Sequence, residues 1–123
     1  MRKLFSFGNG SIGKVCLPVN SSDNLYLDEY LNLYLSGHDS DSIDYYSNGQ
    51  VMWVGSVKID YYSNGKPMWV GSTKIEYYSN GQLMWVGSTK IEYYSNGKPM
   101  WIGSTKIDYD SVGNVLWVGD KRL

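Results

Sequence analysis

The apolar and polar positions of this chain fall into two regimes that meet at the polar, turn-rich stretch Gly37–Ser42. From Ile43 to Arg122 a 16-residue pattern is written five times, and Ile59–Lys74 (IDYYSNGKPMWVGSTK) is almost identical to Ile91–Lys106 (IEYYSNGKPMWIGSTK). Each copy holds two β-prone runs, such as TKIEYYS and QLMWV within Thr73–Val86, with a turn signal on either side of each. Asn80-Gly81 suits a two-residue type I′ turn because both residues tolerate positive φ, and Gly87-Ser88 suits type II′. One short unit cannot bury an apolar face alone, so the array predicts a mainly β fold, an antiparallel hairpin meander of about ten strands.

Those turns decide which residues oppose each other. Ile75 then faces Val86 and Tyr77 faces Met84, collecting Ile, Tyr, Met and Val on one face. The other face takes Tyr78 beside Leu83 and sets Trp85 between Glu76 and Lys90. A competing register treats Ser-Asn-Gly as a three-residue loop with Gly in a G1 bulge, which moves Trp onto the face of Ile and Tyr. Unequal strand lengths make the stagger accumulate by about two residues per repeat, so a closed barrel or a β-solenoid stands as the alternative to an open, twisted sheet.

Residues 1–42 read as an N-terminal capping segment ahead of the array at residues 43–122. Leu4–Val19 alternates around Gly8-Asn9-Gly10 and predicts a short hairpin. In Ser21–Ser36 the pairs Tyr26/Leu27, Tyr30/Leu31 and Tyr34/Leu35 recur at i+4 behind Ser22 or Asp23, with Gly37 as a stop, which predicts a helix. The alternation of Leu31, Leu33 and Leu35 supports a strand instead. A helix ~20 Å long covers about half of the apolar strip on a sheet ~45 Å wide, leaving self-association to cover the rest. In the last repeat Asp110 replaces Tyr, Val112 replaces Asn, and Gly119-Asp120-Lys121-Arg122 brings charge to the terminal strand, as a capping repeat requires.

Composition narrows the function classes. The 123 residues fit one domain, and 42% hydrophobic content supports a core. A net charge of −1, from 11 basic and 12 acidic residues, gives no field that favours nucleic acid or an anionic membrane. No window approaches the ~18 apolar residues of a membrane span. The basic start MRKLFSFGNGSIGKV is interrupted by glycines before it resembles a signal peptide, so a cytoplasmic location is expected. Cys16 is the only cysteine and reads as a packed apolar group; His38 is the only histidine, and no motif around Cys16 or any serine supports a nucleophile–His relay. Equivalent carboxylates of successive repeats lie two strands apart, roughly 9–10 Å, too far to share an ion. His38 with Asp39 and Asp41 reads as a solvated loop in preference to a metal site. The expectation is a chain that is not an enzyme and carries no cofactor and no metal.

The candidate site is a file of aromatics. Trp53, Trp69, Trp85, Trp101 and Trp117, with Tyr46, Tyr62, Tyr78 and Tyr94, form either a stacking platform for sugar rings or a groove for apolar groups of a partner protein. Cross-strand aromatic pairs also stabilise a thin sheet by ~0.2–1 kcal/mol each, without any ligand. The tract YYSNGKPMWVGS, and with it Tyr61-Tyr62, Asn64-Gly65, Trp69, Gly71 and their counterparts over Ile43–Gly119, resembles the aromatic-glycine hairpin repeats of MORN-type proteins. The same residues are similar to bacterial cell-wall and choline-binding repeats, in which aromatics of successive hairpins box a ligand. The first resemblance implies a scaffold that binds proteins or membranes, the second a glycan or cell-wall binding module. The preferred expectation is a structural, protein-interaction scaffold whose partner is itself or another protein, self-associating through its apolar sheet face; glycan binding is its rival.

Overall fold

The computed structural model describes residues 1–123 and consists of strands and turns, without a helix. Four strands, β1 (Arg2–Ser6), β2 (Cys16–Asn20), β3 (Leu25–Asp28) and β4 (Asn32–Leu35), make one antiparallel sheet in the order β1-β4-β3-β2. The repeats supply β5 (Ile43–Tyr45), β6 (Val51–Val54), β7 (Val57–Tyr61), β8 (Pro67–Val70), β9 (Thr73–Tyr77), β10 (Leu83–Val86), β11 (Thr89–Tyr93), β12 (Pro99–Ile102), β13 (Thr105–Tyr109) and β14 (Val115–Val118), and β15 (Lys121–Arg122) closes the chain. These eleven lie in sequential order as an open antiparallel meander; β5 and β15 are its two edges. The hairpin array is as the sequence predicts, with the short β15 as the extra strand.

Two bulges reconcile the rival registers. Tyr78 N donates to Gln82 O and Gly81 N donates to Tyr78 O (2.8 and 2.9 Å), so the loop is the three-residue Ser-Asn-Gly form, with Gly81 at φ 91°. That loop alone would slide Trp onto the inner face. A second bulge between Leu83 and Trp85 cancels the slip: pairing passes from Tyr77↔Leu83 to Glu76↔Trp85 and Ile75↔Val86. The expected Tyr77–Met84 pairing is thereby corrected to Tyr77–Leu83, while Trp85 stays outside, opposite Glu76 and Lys90. Pro67 and Pro99 open their strands next to this bulge, where a missing N–H costs no ladder bond. Between repeats Val86 pairs with Thr89 around Gly87-Ser88, with Gly87 at φ 60°, as a type II′ turn requires.

The last repeat shows why its substitutions come together. In the earlier loops the Asn side chain accepts the N–H two residues on, as Asn80 Oδ1 does from Gln82 N at 2.9 Å. Val112 cannot accept, and Asp110 Oδ1 takes over, receiving Asn114 N (2.9 Å) and Val112 N (3.0 Å). The amides of Asn114 and Val112 hold the Asp110 carboxyl below its ordinary range.

The N-terminal segment differs most from the sequence expectation. The predicted helix over Ser21–Ser36 is the hairpin β3–β4, and the predicted Leu4–Val19 hairpin does not form, because β1 pairs with β4 and β2 with β3. The physical reason lies in the reversal at Glu29–Leu31. Asp28 Oδ1 accepts Tyr30 N and Asn32 N (2.9 and 3.0 Å), and Leu31 is left-handed at φ 63°, a conformation no helix contains. As strands, Leu25, Leu27, Leu33 and Leu35 all face inward and are fully buried.

This small sheet covers the array. Leu25, Leu27, Leu31, Leu33 and Leu35 share one core with Val54, Ile59, Val70, Ile75, Val86, Ile91, Ile102 and Ile107. It lies across the hairpins: Phe5 meets Tyr61 and, two residues on, Phe7 meets Tyr77 in the next repeat, with ring centroids 6.2 and 6.1 Å apart. β2 follows the opposite row of turns, where Thr89 Oγ1 donates to Val19 O (2.9 Å). Crossed sheets of this kind form an orthogonal sandwich. The apolar face assigned by sequence to self-association is therefore filled by the chain's own residues; Ile59, Ile75, Ile91 and Ile107 are each 0% exposed.

Tyrosines lock repeat to repeat. Tyr46, Tyr62, Tyr78 and Tyr94 donate forward to the carbonyls of Ile59, Ile75, Ile91 and Ile107 (2.7–2.8 Å). Tyr61, Tyr77, Tyr93 and Tyr109 donate back to Val51, Pro67, Leu83 and Pro99 (2.6–2.8 Å). At every joint the two rings meet edge to face, 5.8–6.0 Å apart. The first repeat fits the same logic, since Tyr45 has no repeat before it and is exposed, while the last repeat carries Asp110 at the position of the forward tyrosine. Burial first, then the neighbouring Tyr62, Tyr78 or Tyr94, raises the pKa of Tyr77, Tyr93 and Tyr109 above the ordinary 10.0. A phenol whose folded pKa is raised stabilises the fold fully below pH ~10 and less as pH climbs through that value. A urea-midpoint series should be flat across neutral pH and fall from about pH 10, and Tyr77→Phe should cost about 1 kcal/mol at neutral pH while flattening that fall.

Candidate functional site

The outer face is built by the register just described. Each tryptophan stands between an acid and a base on flanking strands: Asp44–Trp53–Lys58, Asp60–Trp69–Lys74, Glu76–Trp85–Lys90, Glu92–Trp101–Lys106 and Asp108–Trp117–Arg122. All five indoles are half-buried. Successive tryptophans are two strands apart and two residues offset, which places them about 12 Å apart in an oblique file. The Lys58 and Lys90 amino groups sit 5.9 Å from the Trp53 and Trp85 ring centroids. Lys58 and Lys106 also approach Asp60 and Asp108 at 3.9 and 3.8 Å; these half-exposed pairs are weak and leave the face locally neutral.

The structure separates the two halves of the predicted site. The tryptophans form the open face, whereas Tyr46, Tyr62, Tyr78 and Tyr94 lie at the turn edge with their hydroxyls engaged in the next repeat. Tyr46 and Tyr94 touch the outer face through Asp60 and Asp108, with Oη–Oδ1 distances of 3.1 and 3.3 Å.

Other polar residues have roles that no local signal marks. Asp23 reaches 49 residues along the chain to the Gly71-Ser72 turn, accepting from Ser72 Oγ (2.8 Å) and Thr73 Oγ1 (2.6 Å). A Cβ at Gly71 would collide with that carboxylate, as one at Gly55 would with Asp41. Beneath the N-terminal loop, Asp28 also accepts Gly13 N (3.1 Å), Asn32 Nδ2 (2.9 Å) and Tyr34 Oη (2.8 Å), and Glu29 accepts Lys14 N and Val15 N (2.8–3.0 Å). Both carboxylates are buried. Desolvation and the Asp28 hydrogen bond push Tyr34 up to about 12.

The residues weighed for catalysis or metal do not converge. His38 Nδ1 meets Asp41 Oδ2, while Asp39 pairs with the Met1 amino group at 3.2 Å, and no group of three or more His, Cys, Asp or Glu side chains shares a site. Burial, together with Asp28 and Glu29, raises the Cys16 thiol pKa above its ordinary value and so lowers its thiolate fraction. No helix is long and apolar enough to cross a membrane.

Fold and face together define an all-β tandem-hairpin protein, an orthogonal two-sheet sandwich with an aromatic outer surface. In comparisons with known proteins, no family model, no curated protein and no solved structure matches the chain.

Proposed function

We propose that this protein is a non-enzymatic interaction scaffold of the MORN-like kind, and that its contact surface is the tryptophan face. The observation that carries this reading is the division of labour between the two faces. The inner face is consumed by the core, whereas the outer face repeats one half-buried indole and one pair of opposite charges in every unit. Large rigid aromatics are enriched at binding hot spots within a polar rim, and indoles that a partner desolvates fully supply most of the energy of such contacts. The partner is a protein: a second copy of this chain, meeting it through the outer faces or the open edges β5 and β15, or a different chain. Nucleic acid is disfavoured because the acids and bases along the file balance.

The rival is a glycan or cell-wall module stacking sugar rings on the same indoles. Trp85→Ala combined with Trp101→Ala separates the readings. The scaffold reading expects the double variant to keep the wild-type β-sheet spectrum while losing self-association in sedimentation, or losing capture of a cross-linked protein partner, by tenfold or more. Association undiminished in the double variant overturns it. A saturable fluorescence change with a polysaccharide panel, abolished by the same substitutions, establishes the rival.

A further inference from the structure

The contacts of β1 with the array follow a rule that stops partway. Along β1 and its continuation, every second residue addresses the next tyrosine of the array: Phe5 lies against Tyr61 and Phe7 against Tyr77. The next position in that series is Asn9, and the next tyrosine is Tyr93. Asn9 brings no ring. A cavity of about 330 Å³ lies there, walled by Phe7, Asn9, Glu29, Tyr93, Lys98 and Tyr109 among others. Its volume is within the range of small-molecule sites. Gly8, Asn9 and Gly97 on its wall are solvent-exposed and give it a mouth.

The array supplies an internal precedent for what fits. The recess two repeats earlier is lined by Lys66, Pro67, Tyr77 and Gly81, the counterparts of Lys98, Pro99, Tyr109 and Gly113. Lys66 and Lys98 hold the same pose, 4.9 and 5.1 Å from the Tyr77 and Tyr109 centroids, and each donates to the carbonyl of the following turn glycine at 2.8 Å. In the earlier recess the chain's own Phe7 ring rests against Tyr77. An aromatic ring thus already packs on the tyrosine of this constellation.

The polar atoms refine the class. Lys98 uses one of its three donors on Gly113 and keeps two. The buried Glu29 carboxylate takes two amide bonds on Oε1 and one on Oε2, leaving acceptor capacity on Oε2. One positive and one negative group in the same wall disfavour an ionic ligand and favour a neutral one that both donates and accepts. Leu31, held at φ 63°, also lines the cavity, and strain of this kind in a bulky residue gathers at ligand sites.

The geometry points to a binding site for a single neutral aromatic ring carrying a hydroxyl, a simple phenol, in the cavity over Tyr93 and Tyr109. The ring packs on the two tyrosines, the hydroxyl oxygen accepts from Lys98 and its proton is donated to Glu29. This site is separate from the tryptophan face and stands or falls independently of the scaffold reading.

Phenol titrated into the full chain and followed by amide chemical shifts tests it. A ligand of seven heavy atoms in a fitted site should show a dissociation constant of the order of 1 mM. Shifts should centre on Gly8, Gly97 and Gly113, with benzoate and benzylamine at least fivefold weaker. Asn9→Phe, which places a ring where the series lacks one, should abolish these shifts and raise the melting temperature. Lys98→Met should weaken phenol severalfold while leaving the spectrum elsewhere unchanged, which keeps the test decisive if Asn9→Phe folds poorly. The assignment is overturned by absence of saturable shifts at 20 mM phenol, by shifts confined to the tryptophan indoles, or by equal binding of the three probes.

Discussion

Removal of residues 1–42 is expected to leave an array that no longer unfolds cooperatively and that aggregates through its uncovered inner face. The five leucines of the small sheet, Leu25, Leu27, Leu31, Leu33 and Leu35, are buried against the repeats. Each contributes roughly 1.5–3 kcal/mol of burial, and their sum rivals the ~5–15 kcal/mol that separates a folded domain from its unfolded chain. The loss is double-sided, since Val54, Ile59, Val70, Ile75, Val86, Ile91, Ile102 and Ile107 would then face water as one continuous strip. Sedimentation velocity of the fragment 43–123 should show aggregates or higher oligomers, with strong binding of a hydrophobic dye. A monomeric fragment with a sharp thermal transition would show that the repeats are self-sufficient, and that the tyrosine joints rather than the shared core carry the stability.

Asp28→Ala is expected to be the most damaging single truncation of a polar side chain. Its carboxylate receives five donors, from Gly13, Tyr30, Asn32 (backbone and side chain) and Tyr34, and is wholly buried. Truncation leaves those donors without a partner, at a cost of about 3–5 kcal/mol and a fall in melting temperature of roughly 10–20 °C. Asp28→Asn keeps the shape but removes the charge and turns an amide towards other donors, so it should recover little of the loss. Tyr34 provides a local readout: without the Asp28 acceptor its ionisation should drop from about 12 towards the ordinary 10.0 in a spectrophotometric titration. Tyr34 ionising unchanged in Asp28→Asn would mean that burial alone sets it.

How much could be read in advance depends on the range of the interaction involved. Strand boundaries in the repeats followed from alternation and from glycine at fixed offsets, and these are properties of a few consecutive residues. The choice of turn was harder, because the Ser-Asn-Gly loop and the Met84 bulge each shift the register by one and are visible only as their sum. Sequence placed Trp85 between Glu76 and Lys90 through a different turn from the one that forms. The aromatic file was legible as a surface, but not the fact that its tyrosines and tryptophans have separate duties. A Tyr78 hydroxyl donating to Ile91 O spans 13 residues, and no local pattern announces such a bond.

The N-terminal segment marks the limit. Ser21–Ser36 carries both an i+4 and an i+2 pattern, and intrinsic preference cannot choose between them. The array chose: an orthogonal sheet lays four inward leucines over the hairpins and brings Phe5 and Phe7 onto Tyr61 and Tyr77, which one helix has too little apolar surface to do. By itself the sequence determined the repeat, its antiparallel strands, the glycine turns and the outward tryptophans, because each is encoded within one 16-residue unit. Only the tertiary structure decided what covers the inner face, which carboxylates hold the distant turns and where a cavity remains. Those outcomes depend on contacts between residues 70 and more positions apart, whose energies exist only once both sheets are in place.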